Sequence, residues 1–226
     1  MNNVNFLPWV GNRYKEGIGP QKYKVMVLGE SHYCTLLANG DCPSCSLENC
    51  ISYGYSEEEW KGQTIEVVDG LINNYTGTGE QQYQQTSLCF ERAFCGRPLS
   101  DDERKDFWNH LLFYNYIQKS LPKENNKRTT FNDNDLISAD SAFREVLEEY
   151  LPDRIIIWGV RLYNAIPNWD GELSTIQNND GESTNVWSFH IKGKEIKAMM
   201  VHHPSTPSGK RRSYWHSFYE KFIFER

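Results

Sequence analysis

The sequence predicts an α/β fold with a mainly parallel sheet, and three observations lead there. Uninterrupted apolar runs recur as "VMVL" (25–28), "IIIW" (155–158) and "AMMV" (198–201), and a strand apolar on both sides is one covered on both faces. Segments with helical spacing separate those runs. Two helix starts are marked by capping boxes, Ser56 with Glu59 and Ser100 with Glu103.

Taken in order, "VMVL" is the first strand and runs into a turn, "GESH". A cysteine-rich loop follows. Ser56 then opens a helix through "EEWKGQTIEVVDGLINNY", and the polar, glycine-containing "NNYTGTGEQQYQQ" reads as a loop. Ser100 opens a second helix over "DERKDFWNHLL". Next, "LLFYNYIQ" (111–118) carries aromatic and β-branched residues and reads as a strand or the end of that helix. The segment "LPKENNKRTTFNDND" is a polar linker. Within "ISADSAFREVLEEYLP", Ala142, Phe143, Val146, Leu147 and Leu151 fall at helical intervals, and Pro152 ends the helix. Then come the strand "DRIIIWG", a short helix "VRLYNAIP", a last strand "EIKAMMVHHPS" and a closing helix "SYWHSFYEKFIF". The chain reads as one domain over residues 1–226, with a cysteine-rich insertion at about 34–50.

An apolar content of 38% with 14% aromatics is enough for a buried core and excludes wholesale disorder. The start, "MNNVNFLPWVGNRYKEG", has no basic flank leading into an apolar stretch, and no window reaches the length of a membrane span. The expectation is a cytoplasmic protein with no membrane partner. A net charge of −6 argues against a dedicated high-affinity nucleic-acid binder, yet leaves room for a local basic site.

Four of the six cysteines, Cys34, Cys42, Cys45 and Cys50, share one short window. Cys42-Pro-Ser-Cys45 has the knuckle spacing that lets two thiolates reach one tetrahedral ion, with Gly40 and Pro43 favouring the turn. A structural zinc site is the expectation, with His32 as an alternative ligand. Free thiols or a disulfide are the plainer alternatives. Cys89 and Cys95 read as ordinary buried residues.

In an open α/β sheet the ligand crevice lies beyond the carboxyl ends of the strands. Three apolar runs end in polar or glycine clusters: Gly29-Glu30-Ser31-His32, Gly159, and His202-His203-Pro204-Ser205. Asn115 belongs to a fourth segment. If the strands are parallel, these ends converge on one edge and Gly29 to Tyr33 forms a pocket wall.

In their order and placement, "GESH", the asparagine of "LLFYNYIQ", "IIIWG" and "HHPS" resemble the motifs of the uracil-DNA glycosylase superfamily, across four short segments spread over most of the chain. The resemblance implies a three-layer α/β/α fold around a short, mainly parallel sheet. It implies hydrolysis of an N-glycosidic bond in DNA after the damaged nucleotide is flipped from the stack. On it, His203 donates a hydrogen bond to the negative charge growing on the departing base, an effect of ~2.7–4 kcal/mol by analogy with oxyanion-hole donors. Asn115 reads a pyrimidine edge through its amide, although a turn or capping role suits it equally well. Gly29, Ser31, Tyr33, Gly159, Pro204 and Ser205 complete the substrate pocket. Pro204 and Pro207 stiffen the loop that meets DNA, and Lys210, Arg211 and Arg212 meet phosphates, where a solvated face is the ordinary alternative.

The first motif departs from the family. Ser31 stands near the place of an Asp or Asn that positions the attacking water, so Glu30 or His32 takes that role instead. Branches beginning "GEAPG" also lack the Asp but hold an iron–sulfur cluster through dispersed cysteines. Here the cysteines are bunched, and the cluster is not carried over. Two other classes stay open. One is a metal-dependent hydrolase using Glu30, His32, His202, His203 and the cysteine cluster, against which no HExxH-type spacing occurs. The other is a non-catalytic binder of a nucleobase or single-stranded nucleic acid.

Overall fold

Val25, Met26, Val27 and Leu28 have no measurable exposure, which happens to a strand only when it has neighbours on both sides and layers above and below. A computed structural model of the chain describes residues 1–73, 82–122, 131–206 and 212–225. In it the strands are β1 (Trp9–Val10), β2 (Val25–Gly29), β3 (His32–Cys34), β4 (Leu111–Asn115), β5 (Ser120–Pro122), β6 (Arg154–Trp158), β7 (Glu172–Gln177), β8 (Ser183–Ile191) and β9 (Lys194–Val201). The helices are α1 (Thr35–Asn39), α2 (Leu47–Ser52), α3 (Glu57–Lys61), α4 (Gln63–Asn73), α5 (Gln82–Cys95), α6 (Asp101–Asn109), α7 (Asp133–Tyr150), α8 (Val160–Ala165) and α9 (Arg212–Ile223).

The main sheet has the order β1-β4-β2-β6-β9-β8-β7. Its centre, β4-β2-β6-β9, is parallel, but β1, β8 and β7 join antiparallel. The sheet is therefore mixed, which corrects the mainly parallel sheet expected from the sequence. The cause is local. Between Ile191 and Lys194 the chain reverses over Lys192 and Gly193, both at positive φ (50° and 76°), the signature of a two-residue hairpin turn. Such a turn forces the next strand to run back beside the last. A separate small sheet pairs β3 with β5 in parallel, setting His32 opposite Ser120 and Cys34 opposite Pro122.

Strand alternation divides the core between the two faces. Met26, Leu28, Ile155, Ile157 and Ala198 pack with Ala142, Phe143 and Val146 of α7 and Leu162 of α8. Val25, Val27, Ile156, Trp158 and Val201 pack with Val68 of α4, Phe90 of α5, Trp108 of α6 and Phe218 of α9. Both predicted capping boxes form, and a third, Asn132 with Asp135, starts α7.

Helix α5 takes up the end of the segment read as a loop. Its apolar stripe is interrupted by Glu91, whose carboxylate is buried against Arg104 Nε (3.1 and 3.2 Å) and Trp108 Nε1 (3.3 Å) of α6. A buried charge with such partners is a tertiary feature that apolar spacing cannot announce. Cys89 and Cys95 are partly rather than fully buried. No helix among the described residues is long and apolar enough to cross a membrane.

Candidate functional site

The parallel registers bring the predicted strand ends to one edge of the sheet. Gly29 closes β2 directly opposite Asn115 at the end of β4, and Trp158 of β6 lies opposite Val201 of β9. Gly159 follows at φ 106°, with its N–H donating to Val201 O at 2.8 Å. A side chain at Gly29 would place its Cβ 2.2 Å from Asn115 Oδ1 and 3.1 Å from Phe113. Only glycine allows the Asn115 carboxamide to lie across β2. At Gly159 the corresponding position is 3.6 Å from His203 Cβ, so the two turns pack together.

Beyond β2 the chain is held rigidly. Tyr116 N–H donates to Gly29 O (2.9 Å) and Ile117 N–H to Glu30 O (2.8 Å). His32 is buried, and its Nε2 lies 2.8 Å from Thr64 Oγ1 and 3.1 Å from Asn115 Nδ2. Since Nδ2 can only donate, Nε2 is the acceptor and the imidazole is neutral with its proton on Nδ1. Burial lowers its pKa to about 4, because a charged ring there would lose its water. Glu30 is clamped by Arg161 of α8 through Nε (2.7 Å) and Nη2, and that hydrogen bonding raises the guanidinium pKa further. Ser31 Oγ is buried with no hydrogen-bond partner among the described residues, while Tyr33 is half exposed.

The turn after β9 is different. His203 Nδ1 is 2.8 Å from Ser205 Oγ and accepts from Ser205 N–H at 3.4 Å. A backbone N–H can only donate, so the neutral ring carries its proton on Nε2. The ring stands edge-on to Trp158, with centroids 6.2 Å apart. Thr206 N–H donates to His203 O at 2.9 Å, which closes the turn around Pro204 and Ser205. His202 turns elsewhere and packs edge-on against Trp215 of α9 at 5.3 Å. Lys210, Arg211 and Pro207 lie outside the described residues, as does the side chain of Arg212 at the start of α9.

Cys34, at the end of β3, and Cys42, Cys45 and Cys50, in and around α2, are all free thiols. No trio of His, Cys, Asp or Glu among the described residues sits in metal-ligating geometry. The structure thus gathers Gly29, Glu30, Ser31, His32, Asn115, Gly159 and His203 along one sheet edge, with the cysteine segment behind β3. Sequence reasoning missed Arg161 and Thr64. Arg161 had a signal, since a carboxylate at a predicted sheet edge calls for a cation and "WGVR" places one just past another strand end. Thr64 had none, being an ordinary helical residue until the fold sets it against His32. No family model and no curated protein matches the chain.

Proposed function

We propose that this sheet edge receives a nucleobase flipped out of DNA and that the protein hydrolyses its N-glycosidic bond, in a fold related to the uracil-DNA glycosylases. The observation that carries the reading is the meeting of Gly29, Asn115, Gly159 and His203 at the carboxyl ends of the parallel strands. Four motifs far apart in sequence serve one edge. The unpartnered Ser31 hydroxyl is further support, since a buried polar atom without a partner costs stability unless something else bonds it.

In this mechanism the C1′–N bond lengthens and its electron pair moves onto the base. His203 Nε2–H donates to the base carbonyl oxygen on which that charge gathers, and its neutral tautomer lets it do so without surrendering a proton early. Asn115 presents its carbonyl oxygen and second N–H to the base edge. Water adds to C1′, and one of its protons ends on the departing base, leaving an abasic sugar. Glu30, with both oxygens on Arg161, retains lone pairs that orient the water, and Ser31 supplies a hydroxyl beside it. His32 acts as a wall that fixes Asn115. The DNA phosphates are assigned to Lys210, Arg211 and Arg212.

The test is strand cleavage at abasic sites in oligonucleotides carrying uracil, hypoxanthine or a mismatch, with wild-type and His203→Ala protein, with and without chelator. Activity that survives chelator and collapses in the variant is the expected result. Binding of the same oligonucleotides without cleavage on any of them would replace this reading with a non-catalytic nucleobase binder, which the engagement of Glu30 by Arg161 favours as the second reading. The divergence of His202 towards Trp215 and His203 towards Trp158 removes the support for a catalytic metal held by that pair.

A further inference from the structure

Every residue from 33 to 59 is described, and Cys42 alone among them is buried. Helices α1 and α2 bury nothing, and Tyr33, Ile51, Tyr53 and Tyr55 are all about half exposed. A segment of this length without an apolar core needs a cross-link to hold a shape, and a disulfide or a metal is the usual means. The chain supplies the material for one. Cys34 and His32 point to the same side of β3, which pairs with β5. Cys45 docks onto that small sheet, its sulfur accepting from Ser120 N–H at 3.0 Å.

Cys45 is partly buried against β5, where the Ser120 N–H holds its sulfur in place. A thiol sulfur is a weak acceptor, yet a backbone N–H is directed at this one. Trp60 is buried, and its Nε1 has no hydrogen-bond partner among the described residues. The other thiols belong to the same stretch of chain, Cys34 ending β3 opposite Pro122, Cys42 a knuckle's spacing from Cys45, and Cys50 within α2.

We propose that Cys34, Cys42, Cys45 and Cys50 together bind one structural zinc ion, which folds residues 33–59 and anchors the strand that carries His32. Four sulfurs in a tetrahedron suit zinc, and the Cys42–Cys45 knuckle is the spacing it takes. Because no three of these thiols stand in ligating geometry, the segment closes on the ion as it binds, and the binding free energy becomes folding free energy. The ion's influence reaches the sheet edge through packed rings. Trp60 stands edge-on to Phe6, and Phe6 edge-on to His32, each pair 5.2 Å between centroids. This proposal stands apart from the glycosylase reading and survives its failure.

The experiment uses the full chain purified under reducing conditions without added metal. Elemental analysis should find about one zinc per chain, and intact mass should show all thiols reduced. Reaction with a thiol reagent should leave four cysteines protected until a chelator is added, and proteolysis within residues 33–59 should begin only then. Cobalt substitution should give the intense visible bands of a tetrahedral thiolate site. Cys42→Ser and Cys50→Ser should lose the metal, and Cys89→Ser should keep it. Less than about half an equivalent of zinc in wild-type protein with every thiol reactive from the start would overturn the proposal. So would paired thiols lost to disulfides, iron in place of zinc, or full zinc retained by both Cys42→Ser and Cys50→Ser. The wild-type measurements decide the matter even where a variant fails to fold.

Discussion

The two turns that meet at the sheet edge each carry a histidine, and the two histidines are opposites. His32 is buried and neutral, with its accepting nitrogen set against Thr64 and Asn115. His203 is partly exposed, and its Nδ1 is tied to its own loop. The same side chain is a buried acceptor in one turn and a partly exposed ring anchored to its own loop in the other. What separates them is which nitrogen the surroundings leave protonated and how deeply the ring is buried. Histidine content at a strand end therefore says little about chemistry until the partners of both nitrogens are known.

The sharpest break between the two is kinetic. On the proposed glycosidic hydrolysis, His203→Ala should lower turnover by about 10²–10³-fold, the loss typical of one oxyanion-type donor, with an unchanged denaturation midpoint. His32→Gln should instead lower stability and leave measurable turnover. A His203→Ala protein as active as wild type, measured in single-turnover assays, would erase the distinction.

The second break uses pH. The folded-state pKa of His32 is about 4, against 6.5 for the free side chain, so between those values the unfolded chain binds more protons than the native one. Its contribution is then fully present above pH 6.5, falls as the pH drops through that window, and is lost below pH 4. The change is about 3 kcal/mol. Urea denaturation at pH 7 and pH 4.5 should show a stability drop in wild type that is smaller in His32→Gln by most of this amount. His203→Ala should keep the wild-type drop.

A third, smaller effect probes the link between the turns. Gly29→Ala places a methyl 2.2 Å from Asn115 Oδ1, and the clash should cost about 1–3 kcal/mol of stability as Asn115 is pushed aside. Affinity for base-containing DNA should fall with it, as titration by fluorescence anisotropy can measure. The smallest effect belongs to Ser205→Ala. The Ser205 N–H still donates to His203 Nδ1 after the hydroxyl is removed, so the tautomer is kept. Loss of one hydrogen bond of about 0.5–1.5 kcal/mol should cost no more than about tenfold in kcat, with an unshifted pH profile. A loss as large as that of His203→Ala would mean that the hydroxyl, not the backbone, sets the tautomer.

Much of this arrangement was legible. Strands β2, β6 and β9 were read from unbroken apolar runs because two-sided burial leaves no alternative composition. The starts of α3 and α6 were read from Ser56 with Glu59 and Ser100 with Glu103, because a capping box is a local interaction among four residues. The ends at Gly29, Gly159 and His203 were read because polar residues stop an apolar run abruptly. Helix α5 escaped because Glu91 breaks its stripe and finds its partners, Arg104 and Trp108, in the next helix. The β7–β8 hairpin escaped because "ELSTIQ", the edge strand, and "STNVWSFHI", beside it, carry no unbroken apolar run. The sheet was read as too uniformly parallel for the same reason.

The sequence by itself determined where the central strands and several of the helices lie, and which side chains stop the strands. Those features depend on residues adjacent in the chain, whose burial and capping preferences act locally. Tertiary structure alone decided that Glu30 meets Arg161, that His32 rests on Thr64 and Asn115, and that Gly29 must stay bare to let Asn115 cross it. Each depends on strand register. Register follows from the summed packing of both sheet faces, which no short stretch of sequence contains.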